Sequence, residues 1–184
     1  MNPQHQKILQ FIDNDSKILD IACGTGALAL KMAKHAKFVT GIDLSEEMIK
    51  VAKATQDKSL ITNTNFMEKN ATELNCFQDK EFDISTISMA IHQFPVEIAK
   101  QILIQLNRIS KKIIILDYAF PLPKNLYKTI VYSIEWLAGK EHYANFSEYM
   151  TNNGIINILQ DCSITIQSQK TTKTRIFTIV EYEN

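Results

Sequence analysis

The sequence predicts an α/β domain with a doubly wound, mostly parallel sheet. Short apolar segments alternate with longer amphipathic segments for five rounds, as expected when each strand is followed by a helix that crosses back over the sheet. Four consecutive aliphatic residues in Lys112–Tyr118 suit a parallel strand covered on both faces. Strand-like stretches at 162–168 and 174–182 predict a closing antiparallel hairpin. Ligands of such sheets bind beyond the carboxyl ends of the strands, so functional residues are expected just after each strand.

Apolar spacing and capping residues set the boundaries of the other elements. The predicted strands are Lys17–Ala22, Phe38–Ile42, 61–68 and Phe82–Ser88. The predicted helices are 3–12, 26–35, a helix capped by Ser45 with Glu46 and Glu47 in its first turn, Pro95 to about Asn107, 124–138, and two pieces within 145–160 broken at Gly154. We therefore expect one domain over 1–184, with a helical cap insertion at about 121–160.

The composition argues against several classes of partner. Twenty basic residues balance twenty acidic ones, so the surface has no general attraction for a phosphate backbone or anionic lipid. Only Arg108 and Arg175 are arginines, the residue that dominates base recognition. No apolar run approaches the roughly 20 residues that span a bilayer. We expect a small-molecule partner, no nucleic acid and no membrane span; the sequence does not predict an oligomeric state.

The three cysteines, Cys23, Cys76 and Cys162, are too widely spaced for a disulfide framework or a zinc motif. The start of the chain, Met1–Lys7, lacks the charged-then-apolar layout of a secretion signal. These features predict a cytoplasmic protein with reduced thiols and no metal site.

The first strand ends in a glycine loop that favours ligand binding. Gly24 and Gly26 let the backbone turn tightly, and the following helix directs free N–H groups at a ligand. Asp43 ends the second strand, 19 positions after Gly24, where a carboxylate can accept both hydroxyls of a ribose. Asp20 lies at the end of a buried strand and needs a partner. The alternatives are a plain strand-to-helix turn and, for Asp43, a helix cap, although Ser45 is available for that role.

The loop alone does not identify the ligand. Gly24–Ala29 also satisfies the dinucleotide fingerprint, with Asp43 at the right distance, so NAD is an alternative. Asp20 would face the negative pyrophosphate of NAD, whereas it suits a ligand with amine and sulfonium cations. The chain also leaves no room for a separate substrate domain, and the closing hairpin is foreign to the usual dinucleotide fold.

Two runs resemble motifs of the class I S-adenosylmethionine-dependent methyltransferases. Ile18–Gly26 is similar to the first motif and Val39–Ile49 to the second, and the resemblance continues in order from about 15 to 120. It implies a seven-stranded, Rossmann-like sheet with an antiparallel C-terminal strand. It also implies site roles. The methionine part would be held by Asp20 and the backbone of Ala22, Cys23, Gly24 and Gly26, the ribose by Asp43, and the adenine between Leu44 and Met48.

The chain departs from the family pattern at two positions. Ala22 replaces the first glycine of the first motif, and Asn70 replaces the acid that usually follows strand three. By resemblance, the Asn70 side chain and the backbone N–H of Ala71 would contact the adenine, and Ser88 would lie beside the sulfur. These departures leave open a catalytically silent S-adenosylmethionine-binding protein.

Candidate catalytic residues follow strands four and five or lie in the cap. His92 could act as a base, and Tyr118 could wall the pocket; the alternatives are a loop histidine satisfied by the backbone and a plain turn. Gly139–Phe146 resembles a segment of small methyltransferases of the quinone-biosynthesis type, which implies that His142 and Tyr143 contact a flat apolar acceptor. The alternative is an aromatic stripe that packs the cap onto the sheet. The sequence thus predicts a methyltransferase acting on a small molecule, with an NAD-dependent oxidoreductase as the other enzymatic alternative.

Overall fold

The computed structural model describes residues 3–183, so the ends of the predicted 1–184 domain lie outside the described residues. Seven strands form one sheet in the order β3-β2-β1-β4-β5-β7-β6. The strands are β1 (Lys17–Ile21), β2 (Phe38–Asp43), β3 (Thr64–Glu68), β4 (Phe82–Ser88), β5 (Ser110–Tyr118), β6 (Ser168–Thr171) and β7 (Phe177–Glu183). The helices are α1 (Pro3–Leu9), α2 (Ala29–Met32), α3 (Glu46–Ser59), α4 (Val96–Ile109), α5 (Leu126–Leu137), α6 (Lys140–Thr151) and α7 (Ile155–Asp161), with one 3-10 turn at Ile91–Gln93.

The pairing of the strands confirms the predicted fold class. Strands β1 to β5 pair in parallel, whereas β7 runs antiparallel to both β5 and β6. The carboxyl ends of β1, β2 and β4 therefore meet at one edge of the sheet. The strand order reverses between β1 and β4, which is the place where open α/β sheets bind ligands.

The aliphatic run of β5 explains why its strand is central. Ile113 and Ile115 pack into the hydrophobic cluster on one face of the sheet, and Ile114 and Leu116 pack into the cluster on the other. All four side chains are fully buried. An uninterrupted apolar run is what a strand covered by helices on both faces requires.

Two predicted elements were wrong in their extent. The helix predicted at 26–35 is only the four-residue α2, because the glycine loop continues as turns to Leu28. The first tail strand is β6 (Ser168–Thr171) rather than 162–168. Ile164 and Ile166 alternate because they pack against the core, without forming a ladder with β7. Alternating burial is therefore present here without backbone pairing, and a strand requires both.

The start of α3 and the break after α6 agree with prediction. The Oγ atom of Ser45 accepts a hydrogen bond from the Met48 N–H at 3.3 Å, and Glu46 and Glu47 occupy the first turn. Gly154 separates α6 from α7, with φ of +68° and a Cβ position only 3.0 Å from the Cβ atom of Phe120. Helix α6 begins at Lys140, earlier than predicted. Within residues 3–183, no helix is long and apolar enough to cross a membrane.

Candidate active site

A cavity of about 590 Å³ opens at the carboxyl ends of β1, β2 and β4. It is lined by seven of the residues predicted to hold a cofactor: Ala22, Gly24, Asp43, Leu44, Met48, Asn70 and Ala71. Nine further residues complete the wall: Ile42, Lys69, Thr72, Met89, Ala90, Gln93, Phe94, Ile98 and Ile102. The structure therefore brings the glycine loop, the acid of β2 and the loop after β3 to one place, as the sequence predicted.

The carboxylate of Asp43 joins the second strand to the glycine loop. Its Oδ2 atom accepts a hydrogen bond from the Gly24 N–H at 2.8 Å, and its Oδ1 atom accepts one from the Ser45 N–H at 2.9 Å. Each carboxylate oxygen can accept more than one bond, so both oxygens retain capacity for a ligand on the cavity wall. Because Ser45 caps α3, Asp43 is not needed for that role.

The two glycines of the loop serve different purposes. Gly24 has φ of +53°, and a Cβ built on it meets nothing within 4 Å, because this residue faces the open cavity. Gly26 has φ of +73°, and its Cβ would lie 2.7 Å from the ring of Phe66. A Cβ on Gly41 in β2 would also lie 2.6 Å from that ring. Gly24 therefore leaves room for a ligand, whereas Gly26 and Gly41 leave room for a core phenylalanine.

Ala22 holds a left-handed backbone conformation, with φ of 51°. This region disfavours any residue with a Cβ by about 1–2 kcal/mol. The substitution of the family's first glycine by alanine therefore leaves strain at the wall of the cavity.

Replacing Ala22 with glycine is expected to stabilise the protein by about 0.5–1 kcal/mol, since the relief of strain exceeds the added entropy of the unfolded chain. Urea denaturation followed by circular dichroism measures the change. Ala54→Gly is the matched control, because Ala54 lies exposed in α3 and should lose about 1 kcal/mol. If Ala22→Gly lowered the free energy of unfolding as much as the control does, the backbone at Ala22 would not be strained.

Asp20 is a buried carboxylate with one unsatisfied oxygen. Its Oδ1 atom accepts a hydrogen bond from the Thr86 hydroxyl at 2.6 Å, whereas Oδ2 has no partner among the described residues. Burial raises the pKa of Asp20 to about 7, opposed by the Thr86 hydrogen bond and reinforced by the charge of Asp43. A buried acid of this kind is stabilised by a cationic group supplied by a ligand.

Asp20, Cys23, Gly26 and Ser88 were predicted to hold the cofactor, but the cavity wall formed by the described residues does not include them. The Cys23 N–H donates to the Ile42 carbonyl at 2.9 Å, and burial raises the pKa of its thiol. Cys23 therefore connects β1 to β2 and carries an inert thiol. Ser88 is the last residue of β4, and the next two residues line the cavity in its place.

The end of the cavity that Leu44 and Met48 border is apolar and partly uncovered. Leu44 is 70% exposed and Met48 is 41% exposed, although both line the cavity. The Asn70 side-chain carbonyl accepts hydrogen bonds from the N–H and hydroxyl of Thr72, so Asn70 shapes the turn after β3 as well as lining the wall. Uncovered apolar side chains around a cleft are typical of a ring-binding subsite.

Several wall residues were missed by the sequence analysis although they follow β4. Met89 has φ of 56°, and its N–H donates to the Leu116 carbonyl at 2.7 Å. A left-handed conformation is strained for a residue other than glycine, and at a ligand site the surrounding contacts maintain such strain. The rule that ligands bind after strand ends selected this segment, but no side-chain chemistry distinguished Met89. Ile98 and Ile102 read as part of the core stripe of α4.

The predicted catalytic residues His92 and His142 meet in a buried polar network. His92 is 2% exposed; its Nδ1 atom lies 2.6 Å from Asp117 Oδ1, and its Nε2 atom lies 3.7 Å from Glu135 Oε2. His142 Nε2 lies 2.5 Å from the same Glu135 oxygen. The Tyr118 hydroxyl donates to Glu135 Oε1 at 2.7 Å. Neither Asp117 nor Glu135 was predicted as a site residue.

Opposing effects act on the acid–base properties of this network. Burial lowers the pKa of His92, but the charge and hydrogen bond of Asp117 and the charge of Glu135 outweigh burial, so the net shift is upward. Burial, the hydrogen bond to Glu135 and nearby negative charge raise the pKa of Tyr118. Tyr118 is thus a neutral hydrogen-bond donor to Glu135 and not a base.

A second, smaller pocket adjoins the cavity at the strand ends. Its volume is about 390 Å³, and it shares Gln93 and Phe94 with the cavity wall. The start of α6 supplies the opposite side, including His142 and Asn145. The Asn145 side chain donates to the Gln93 carbonyl at 2.7 Å, which fixes the shared wall. Tyr143 faces a different surface pocket with Tyr132 and Trp136.

The sheet order, the glycine loop and the acid that binds it define a class I S-adenosylmethionine-dependent methyltransferase. The chain belongs to the methyltransferase domain family, whose model matches residues 18–112. Its cofactor is S-adenosylmethionine, and this membership favours that ligand over NAD. The residues fit the cofactor, because a cationic amine would satisfy the unpartnered oxygen of Asp20 and an adenine would cover Leu44 and Met48.

Curated relatives match part of the chain. A putative methyltransferase of Geobacillus sp. (strain WCH70) is 45% identical over 71 residues, which are 39% of this chain and 28% of that protein. The ubiquinone/menaquinone biosynthesis C-methyltransferase UbiE of Rickettsia prowazekii is 40% identical over 95 residues, covering 48% and 38%. The 23S rRNA (uracil(1939)-C(5))-methyltransferase RlmD of Francisella tularensis subsp. novicida is 42% identical over 76 residues, covering 41% and 16%. The chain thus matches less than two-fifths of each relative's length.

Solved structures share the fold across nearly the whole chain. A SAM-dependent methyltransferase from Aquifex aeolicus superposes with a TM-score of 0.70 at 18% identity, covering 97% of this chain and 88% of that one. Magnesium protoporphyrin IX methyltransferase (ChlM) from Synechocystis PCC 6803, solved with bound SAH, has a TM-score of 0.68 at 22% identity, covering 98% and 81%.

Proposed function

We propose that this protein transfers a methyl group from S-adenosylmethionine to a small molecule. The observation that carries the proposal is the 390 Å³ pocket that shares Gln93 and Phe94 with the cofactor cavity. One wall common to two cavities can hold a donor and an acceptor in line, and alignment is the main contribution of a protein to a displacement reaction. The balanced charge of the chain also favours a small acceptor over a nucleic acid.

On the cofactor side, the proposed roles follow from positions on the cavity wall or directly behind it. S-adenosylmethionine supplies an electrophilic methyl group on a positively charged sulfur when it is bound. Asp43 accepts the ribose hydroxyls, and Asp20 attracts the cationic methionine part from beneath the loop. Leu44 and Met48 cover the adenine, while Asn70 and the Ala71 backbone border its edge. Cys23, Gly26 and Ser88 support the loop and the strand ends.

On the acceptor side, His142 touches the pocket directly, whereas His92 and Tyr118 act through Glu135. His92 is buried behind the wall, so we assign it a positioning role rather than contact with the acceptor. Helices α5 to α7 form a cap over this side, with Phe146 and Tyr149 fully buried beneath it. Tyr143 borders a neighbouring aromatic surface, which suits the approach of a flat apolar acceptor. The three free cysteines suit the reducing cytoplasm as its location.

An assay with S-adenosylmethionine labelled on its methyl group tests the acceptor class. The protein is incubated with a panel of small aromatic and quinol metabolites and, in parallel, with total ribosomal RNA. We expect label in one or more small molecules and none in RNA. The Asp43→Ala variant is the control for background transfer and should give no product. Label found only in RNA, or in no acceptor of a complete metabolite extract despite measured cofactor binding, would overturn the proposal.

A further inference from the structure

Three metal-ligating side chains converge behind the acceptor pocket. His92, Glu135 and His142 come from the 3-10 turn, α5 and α6, and one ligand atom of each lies within 4.8 Å of the others. We propose that this cluster binds one divalent transition-metal ion of the Zn²⁺ or Fe²⁺ type. Two imidazoles and a carboxylate form the ligand set that such ions prefer. This site was not expected from the sequence, because its members are far apart in the chain and form no spacing motif.

The surroundings of the cluster orient its ligands as a metal site requires. The His92 Nδ1–H donates to Asp117 at 2.6 Å, which leaves the Nε2 atom to face Glu135. Tyr118 donates to the other oxygen of Glu135 and fixes that carboxylate. Metal-binding histidines typically donate their second ring nitrogen to a carboxylate in this way. Asp117 and Tyr118 thus complete an outer shell around the three ligands.

The charges of the cluster also call for a cation. Asp117 is fully buried and Glu135 is 3% exposed, and within the part of the chain that the structure describes neither forms an ion pair with lysine or arginine. The Nε2 atom of His92 and the Oε2 atom of Glu135 face each other at 3.7 Å, and a proton or a metal ion between them supplies positive charge to the buried carboxylates. A metal ion provides that charge by displacing the protons now shared within the cluster.

The cluster has room to adjust and a route of entry. Two ligands of one zinc ion lie more than 3 Å apart, given bonds of about 2.0–2.2 Å, so His142 must move outward from its 2.5 Å contact with Glu135. The His142 side chain is 24% exposed and lies on the pocket wall, so it can make this movement. Three protein ligands leave coordination positions open, and the position of His142 places such an ion beside the acceptor pocket.

Titration of the chelator-treated full chain with Co²⁺ and Zn²⁺ tests the site without any acceptor, so its outcome is independent of the methyl-transfer assay. We expect one ion per chain and visible absorption of Co²⁺ with imidazole ligands. Glu135→Gln and His142→Ala should each weaken binding by at least about 100-fold, because even outer-shell changes cost 10–100-fold. His35→Ala and Glu73→Gln remove an exposed histidine and an exposed acid elsewhere and should change binding less than about 2-fold.

S-adenosylhomocysteine binding serves as the test of folding for every variant. His142→Ala alters a half-exposed side chain, so it remains informative even if Glu135→Gln does not fold. A wild-type protein that binds neither ion, or one whose ion binding is unchanged in His142→Ala, would overturn the metal site and leave a proton-sharing network in its place.

Discussion

Replacing Asp43 with alanine should weaken the binding of S-adenosylhomocysteine by at least about 100-fold. In the proposed cofactor site, the carboxylate would accept two charge-assisted hydrogen bonds from ribose hydroxyls, each contributing about 1.5–3 kcal/mol. The same variant also removes the acceptors of the Gly24 and Ser45 N–H groups, which loosens the glycine loop. Both losses act in the same direction. Isothermal titration calorimetry with S-adenosylhomocysteine measures the affinity.

The Asp57→Asn variant is the control for Asp43, because Asp57 is an exposed acid in α3 away from the cavity. Its affinity should equal that of the wild type. A thermal melt of Asp43→Ala separates lost contacts from lost structure: we expect a folded protein with a lowered melting temperature. A folded Asp43→Ala protein with wild-type affinity would remove Asp43 from the cofactor site.

Replacing Asp20 with asparagine should make the ligand-free protein more stable at pH 8. The same change should weaken the binding of the methionine part of the cofactor. Burial raises the pKa of Asp20 to about 7, whereas in the unfolded chain it is about 3.9. The folded protein therefore keeps a proton that the unfolded chain releases. The free energy of unfolding falls as pH rises from about 4 through 7, by about 4 kcal/mol in total.

Asparagine keeps the acceptor for Thr86 but cannot ionise, so the variant should lack this slope. Urea denaturation of both proteins between pH 4 and pH 8 measures the difference. Parallel slopes, with no gain of Asp20→Asn at pH 8, would contradict the raised pKa of Asp20.

The affinities for two ligands distinguish the loss of the Asp20 charge from a general disruption of the cofactor site. S-adenosylhomocysteine carries the amino group that Asp20 should attract, whereas 5′-methylthioadenosine lacks it. We expect Asp20→Asn to lose about 10–100-fold in affinity for the first ligand and less than about 2-fold for the second. Equal losses for the two ligands would show that Asp20 supports the loop without sensing the amine.

The parts of the fold that were predictable are those encoded over a few consecutive residues. The aliphatic run of β5 predicts a strand buried on both faces. The Ser45 cap, followed by Glu46 and Glu47, predicts the start of α3. The glycine loop and Asp43 were also predictable from the sequence, because glycines after one strand and an acid at the end of the next are typical of a ligand-binding strand edge. The cavity confirms that these segments meet.

The polar network was not predictable because packing creates it. Glu135 lies on α5, and the packing of the helices buries it against Tyr118 and both histidines, although nothing in its local sequence singles it out. These partners are separated by 7 to 43 positions, and no local period connects them. The tail strand was misplaced for a related reason, since Ile164 and Ile166 are partly buried against the core without being paired in the sheet.

The ring of Phe66 has a consequence for how this chain can change over evolutionary time. One aromatic side chain fills the space beside Gly26 in the glycine loop and Gly41 within β2, and leaves no room for a methyl group at either. A smaller residue at position 66 would remove the closest contact at both glycines. Position 26 would still favour glycine because its φ is +73°, whereas a Cβ at position 41 would then lie 3.0 Å from the Cys23 Sγ atom. Among relatives of this chain, we therefore expect position 41 to vary only together with position 66, whereas position 26 should stay glycine.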